Sequence, residues 1–88
     1  MTYRVVFTRQ SRRYFELAPR DLALRISEVL KTLQTDAHPF GSCPLKGELA
    51  GFFSMRVGHV RLVYECDEAS REITILRIGP RGDVYRHV

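Results

Sequence analysis

Two periods of apolar spacing divide the chain. Leu22, Ile26, Val29, Leu30 and Leu33 fall at i, i+4, i+7, i+8 and i+11, one stripe of a 3.6-residue repeat. After Gly51 the period drops to two, and FFSMRV, VRLVYEC and EITILRI read as three strands. Gly58-His59 and the polar stretch from Asp67 to Ser70 supply the turns between them, so consecutive strands run antiparallel. Upstream, the aromatic and β-branched run Tyr3 to Phe7 predicts a first strand. Thr8 is placed to cap a helix of about ten residues that ends before Pro19. Pro19 and Asp21 suit the first turn of the second helix, which carries the apolar stripe and runs to about Thr35.

The segment DAHPFGSCPL, Asp36 to Leu45, holds two prolines and a glycine and predicts a loop. One strand, two helices and a strand meander make an α+β fold: an antiparallel sheet in the order β-α-α-β-β-β, with two N-terminal helices packed on one face and the other face open. With 88 residues and no repeat, low-complexity tract or linker, residues 1–88 are expected to form one domain.

Alternation puts Phe53, Met55 and Val57 under the helices and Phe52, Ser54 and Arg56 on the opposite face. If Gly58 and His59 form a two-residue hairpin turn, Val57 faces Val60 and Arg56 faces Arg61. Like charges facing across a ladder cost from a few tenths to ~1 kcal/mol. Glu65 shares the face of Arg61 but lies two rungs away, so an external polyanion is the better neutraliser. Arg77, near the end of the last strand, precedes the turn Gly79-Pro80-Arg81-Gly82, which can bring Arg81 over the same face, with Tyr85 close behind. Guanidinium groups offer five donors and no base, a set suited to stabilising charge on a phosphate. An RNA target would bring its own nucleophile, the 2′-hydroxyl, so cleavage would require no metal.

Composition sharpens this picture in one respect. The formal net charge is +4, and all but Lys31 and Lys46 of the fourteen basic residues are arginine. A planar guanidinium fork matches phosphate oxygens and stacks on bases, which an ammonium does not. Arginine-favouring codon usage produces the same bias, so composition alone selects no function. Cys43 and Cys66 form no C-x-x-C pair, His38, His59 and His87 are scattered, and both cysteines are read as free thiols with no metal site. The N-terminus has only a four-residue apolar stretch, and no segment reaches membrane-spanning length, so a cytoplasmic protein is expected, without small-molecule cofactor or membrane partner.

The ordered series Leu45-Lys46-Gly47, Gly51-Phe52-Phe53-Ser54-Met55-Arg56-Val57-Gly58, Arg61-Leu62-Val63-Tyr64, Ile78-Gly79-Pro80-Arg81 and Val84-Tyr85 resembles the RelE/ParE superfamily of type II toxin–antitoxin toxins. The resemblance spans almost the whole chain. The RelE branch implies a toxin that cuts mRNA in the ribosomal A site and is restrained by a cognate antitoxin. It casts Arg56, Arg61 and Arg81 as the cations that hold the scissile phosphate and Tyr85 as the C-terminal catalytic tyrosine. Lys46, Ser54 and Arg77 are then expected RNA contacts.

RelE itself has lysines at the positions of Ser54 and Arg56, one of them a proposed general base. Serine at 54 resembles the YoeB-like branch, whose important glutamate and histidine align near Cys43 and Arg81. The proton acceptor is therefore left among Tyr85, Glu48, His59 and His87. The chain lacks the longer C-terminal helix of some members, which leaves a groove for an antitoxin segment. The ParE branch implies a different activity, poisoning of DNA gyrase without nuclease chemistry, and a third reading is an RNA-binding module that has lost cleavage.

Overall fold

In the computed structural model, which describes residues 2–80, a five-stranded sheet is covered on one face by two helices. The chain enters as β1 (Arg4–Phe7), continues through α1 (Arg9–Leu17) and α2 (Arg20–Thr35), and closes with β2 (Cys43–Pro44), β3 (Phe53–Val57), β4 (Val60–Asp67) and β5 (Glu72–Gly79). The strand order is β1-β5-β4-β3-β2. The meander β2 to β5 is antiparallel as expected, whereas β1 lies parallel to β5, because the helical pair returns the chain across one face of the sheet. The second helix appears where the apolar period placed it, and the first where the Thr8 cap and Pro19 bounded it. Thr8 caps α1 by accepting the Ser11 N–H, and Pro19 stands one residue before α2, its carbonyl accepting the Ala23 N–H at 2.9 Å.

One strand was not legible. Cys43 and Pro44 pair with Ser54 and Phe53 inside the segment expected to be all loop. Pro44 is tolerated there because β2 is an edge strand, where a missing N–H breaks no ladder bond. The core is built from Leu22, Ile26 and Leu33 of α2 against Val57, Val60, Leu62, Tyr64, Ile73, Ile75 and Ile78 of the sheet, all buried. The two cysteines are free; burial, with a hydrogen bond to Glu68, pushes the Cys66 thiol up and keeps it protonated. No helix among the described residues is long and apolar enough to cross a membrane.

The second half of β5 depends on α1. β1 covers the outer edge of β5 only from Glu72 to Ile75, leaving Leu76 to Gly79 without a strand neighbour on that side among the described residues. Polar side chains at the start of α1 take its place. Thr8 Oγ1 donates to the Leu76 carbonyl at 2.8 Å and Ser11 Oγ donates to that of Ile75 at 2.7 Å. The Gln10 amide donates to the Ile78 carbonyl at 2.9 Å and accepts the Ile78 N–H at 3.1 Å, imitating a strand. This explains why Ser11, a helix-surface residue by composition, is fully buried. Across the strand, the pairing with β4 slips by one residue between Val63 and Tyr64, so that Val63 faces Arg77 and Tyr64 faces Ile75.

The face away from the helices is only partly open. Val63 is buried there, and so is Ser54, at 2% exposure. Arginine stems on neighbouring strands are long enough to lie over such short side chains while their heads reach water.

Replacing Gln10 with alanine is expected to cost about 1–3 kcal/mol, the penalty for leaving the Ile78 backbone pair unsatisfied. Urea denaturation will measure the loss, and faster amide exchange at Ile78 will place it. Tyr64 gives a second test. Its hydroxyl donates to the Ala37 carbonyl at 2.7 Å, and burial raises its pKa to about 12. Because the folded value lies above the unfolded one, near 10, this stabilisation is complete below pH 10 and disappears as pH climbs through about 12. Tyr64→Phe should therefore be less stable than the parent at neutral pH by about 1 kcal/mol, with the gap narrowing in alkali.

Candidate phosphate-binding site

The site is set by the tightest turn in the sheet. Gly58 adopts φ of 60°, a left-handed conformation that glycine takes without strain, and with His59 it closes β3 onto β4 in two residues. Val57 then faces Val60, and Arg56 faces Arg61 directly, as the alternation required. Directly facing side chains leave their strands with Cβ atoms only about 4.5–5.5 Å apart. The two guanidinium groups thus originate side by side on the face away from the helices.

On the other side of Arg61 stands Gly79, and among the described residues nothing lies within 4 Å of where a side chain at that position would begin. One rung further along, Arg77 faces Val63 on the same surface. Arg77 Nε, like Arg71 Nε at the far end of the sheet, is buried without a hydrogen-bond partner among the described residues, an arrangement that costs a protein free energy and that a ligand acceptor at Arg77 would relieve.

Two arginines at the far end of the sheet are charge-paired. Arg4 pairs with Glu72, and Arg71 reaches Glu68 at 3.1 Å while its guanidinium lies 3.9 Å over the Tyr3 ring. That cluster, with Tyr3 Oη donating to Glu68 at 2.9 Å, fastens the far end of the sheet and holds the Glu68 carboxyl below its usual range. By contrast, no carboxylate among the described residues lies in ion-pair range of Arg56, Arg61 or Arg77. Arg56 Nε has only a long contact, 3.4 Å, to the Gly58 carbonyl.

A cleft of about 130 Å³ opens at this corner, lined by Arg56, His59, Val60 and Arg61. Its chemistry is that of an anion site, with two guanidinium forks and one imidazole. His59, which the sequence offered only as one of several titratable residues, is thereby placed beside both cations. Glu48 lies elsewhere, exposed in the short 3-10 turn Gly47–Leu49. Lys46 precedes that turn and is exposed. The Leu45 N–H binds the Phe52 carbonyl, so Lys46 leaves the sheet near Phe52, about 13 Å along β3 from Arg56 at ~3.3 Å per residue. It is not gathered with the arginines.

Ser54 requires a correction. Expected as an RNA contact on the accessible face, it is buried there, with Cys43 of the edge strand and Val63 of the central one as its cross-strand neighbours. Arg81, Tyr85 and His87 lie outside the described residues. Two features escaped the sequence. An apolar groove of about 430 Å³ runs between the helices, lined by Tyr14, Leu17, Ala18, Pro19 and Leu22 with Arg13 at its rim. The exposed ring of Phe40 is the other.

Residues 3–85 match the family model described as the ParE toxin of the type II toxin–antitoxin system, parDE. Toxin RelG of Mycobacterium tuberculosis is 40% identical over 87 residues, covering 98% of this chain and 99% of its own. The toxin–antitoxin complex RelBE2 from the same organism contains a chain that superposes with a TM-score of 0.76 at 36% identity, over 92% of this chain and 100% of that one. The archaeal RelE–RelB complex from Pyrococcus horikoshii gives 0.80 at 28% identity, over 94% and 99%.

The facing cations carry a stability signature. Replacing Arg61 with threonine, a good strand former, is expected to raise stability by a few tenths to ~1 kcal/mol through relief of repulsion. The gain should appear in urea titrations at low ionic strength and shrink at high salt, where the repulsion is screened.

Proposed function

The chain belongs to the ParE/RelE family of type II toxin–antitoxin toxins, and from that premise we propose that it is an endoribonuclease that cuts mRNA on the ribosome. The observation that carries the proposal is the Arg56–Arg61 rung, two cations with no carboxylate partner among the described residues, next to the unsatisfied Nε of Arg77. A fold gains nothing from such a rung. A phosphodiester gains a pair of forks on its non-bridging oxygens, and the charge that builds there in the transition state strengthens both interactions.

In the proposed reaction the RNA 2′-oxygen attacks the adjacent phosphorus, the bond from phosphorus to the 5′-oxygen breaks, and a 2′,3′-cyclic phosphate and a 5′-hydroxyl result. The 2′-hydroxyl proton goes to a base and the leaving 5′-oxygen takes one up. No metal is required, since the nucleophile comes with the substrate. Arg81 and Tyr85 are proposed to complete the clamp, with Tyr85 orienting or stacking on the nucleotide. Of the candidate proton acceptors, His59 is the one whose place beside Arg56 and Arg61 is described. Lys46, remote from the rung, is proposed as a ribosomal RNA contact.

A cognate antitoxin is the proposed second partner, as in the RelBE2 and archaeal RelE–RelB complexes. The apolar groove between α1 and α2, with Leu17 71% exposed at its edge, supports docking of an amphipathic segment there. The description of the matching family as ParE favours a second reading, inhibition of DNA gyrase without cleavage.

Brief induction followed by mapping of mRNA 5′ ends, run beside a gyrase supercoiling assay, separates the two. New ends inside translated codons are expected, falling by about 10²-fold or more in Arg61→Ala and Arg81→Ala and sharply in Tyr85→Phe. Intact messages with inhibited supercoiling would establish the gyrase reading instead.

A further inference from the structure

Phe40 is 104% exposed, its ring held entirely in solvent. A single exposed apolar side chain is commonplace, but this one is presented by a rigid device. Pro39 is buried, the Ser42 N–H binds the Pro39 carbonyl at 3.0 Å, and Gly41 takes φ of 96°, which together make a hydrogen-bonded turn with Phe40 at its tip. The loop behind the tip is tied to the core. Ala37 is buried under the Tyr64 hydroxyl, the His38 ring lies 4.5 Å from that of Phe53, and Asp36 accepts the His38 N–H at 3.0 Å. Folding therefore fixes the base of the loop and leaves its aromatic tip unburied.

Phe40 lines a cleft of about 350 Å³ that also includes Arg25, Glu28, Met55 and Arg56. Arg56 lines this cleft and the smaller one it shares with Arg61, so the two adjoin at that residue. The larger cleft has more than twice the volume of the smaller. It also follows a strand edge that no described residue pairs with, since β2 pairs with Phe53 and Ser54 and stops short of Met55. An aromatic platform, a carboxylate acceptor and free backbone groups next to a cation pair are the parts of a nucleotide site.

We propose that Phe40 stacks on the base of a nucleotide flanking the phosphate held by Arg56 and Arg61, making this cleft the base subsite of the toxin. Glu28 at its wall is suited to accept from an exocyclic amine, and Arg25 and Arg56 keep the cleft cationic for the sugar-phosphate chain. The inference rests on the ribonuclease reading, and it adds a residue whose contribution is independent of charge.

That independence supplies the test. The probe is a short mixed-sequence 2′-O-methyl RNA, which cannot be cut, carrying 2-aminopurine at successive positions, with binding followed by anisotropy across a salt series. Phe40→Ala should weaken binding about tenfold or more without changing the slope of log K against log salt, and should abolish 2-aminopurine quenching at the stacked position. Phe40→Trp should retain both. Arg56→Ala should instead flatten the slope by about 0.7 for each phosphate the protein no longer neutralises.

Parent-like binding by Phe40→Ala, with the Arg56→Ala slope flattened as expected, overturns the base subsite and leaves the ribonuclease reading standing. Full affinity in Phe40→Leu would overturn stacking in favour of simple apolar cover. Unchanged RNA binding with abolished antitoxin binding in Phe40→Ala would make the loop a protein dock. An Arg56→Ala variant that binds RNA like the parent removes both readings together.

Discussion

The fold turns on how the unpaired half of one central strand is satisfied. β5 outlasts its neighbour β1, and the gap is filled by the Thr8, Gln10 and Ser11 side chains rather than by more strand. A helix start, with its surplus of polar side chains, becomes the extra edge of a sheet. This joins the two layers by directional bonds as well as by apolar packing, and it fixes the segment that carries Arg77 and Gly79. The slip between Val63 and Tyr64 lies opposite the same stretch, and it is the offset that brings Arg77 across from Val63. Helix packing and site geometry therefore share one set of hydrogen bonds.

The phosphate site departs from what stability alone would select. At the far end of the sheet the chain neutralises two arginines, Arg4 on Glu72 and Arg71 between Glu68 and the Tyr3 ring. At the Gly58 turn it sets two against each other, and at Arg77 it buries a donor without an acceptor among the described residues. Each arrangement is unfavourable in the free protein and is relieved by an anion. The same folding that makes a tight hairpin thus sets the cations in advance, and under the proposed function a phosphate would meet them already in position.

Much of this could be read from the residues. The 3.6-residue stripe of Leu22, Ile26, Val29, Leu30 and Leu33 and the two-residue alternation after Gly51 are strong periodic signals, and a glycine-bearing two-residue turn determines register, so the Arg56–Arg61 rung followed directly. What the sequence hid has no periodicity. β2 is two residues long and contains a proline, so only its neighbour β3 defines it as a strand. The parallel placement of β1 depends on how the helical pair returns over the sheet. Ser54 alternates correctly onto the outer face, yet it is buried there, and alternation assigns a face without giving its exposure. Phe40 sits in a loop whose composition announces a turn but not which side chain the turn presents.

The Gly58-His59 turn also ties the core and the site to one parity. Every residue of β4 points to the helices or away from them according to whether it is even or odd in number: Leu62 and Tyr64 inward, Arg61 and Val63 outward. A single inserted or deleted residue in the turn would invert that assignment, pressing a guanidinium into the apolar core while turning leucine and tyrosine outward. Arg61 can be exchanged by substitution without loss of the fold, but it cannot be shifted along the chain. For this hairpin, evolution by change of side chain is open, and evolution by change of length is closed to fold and function at once.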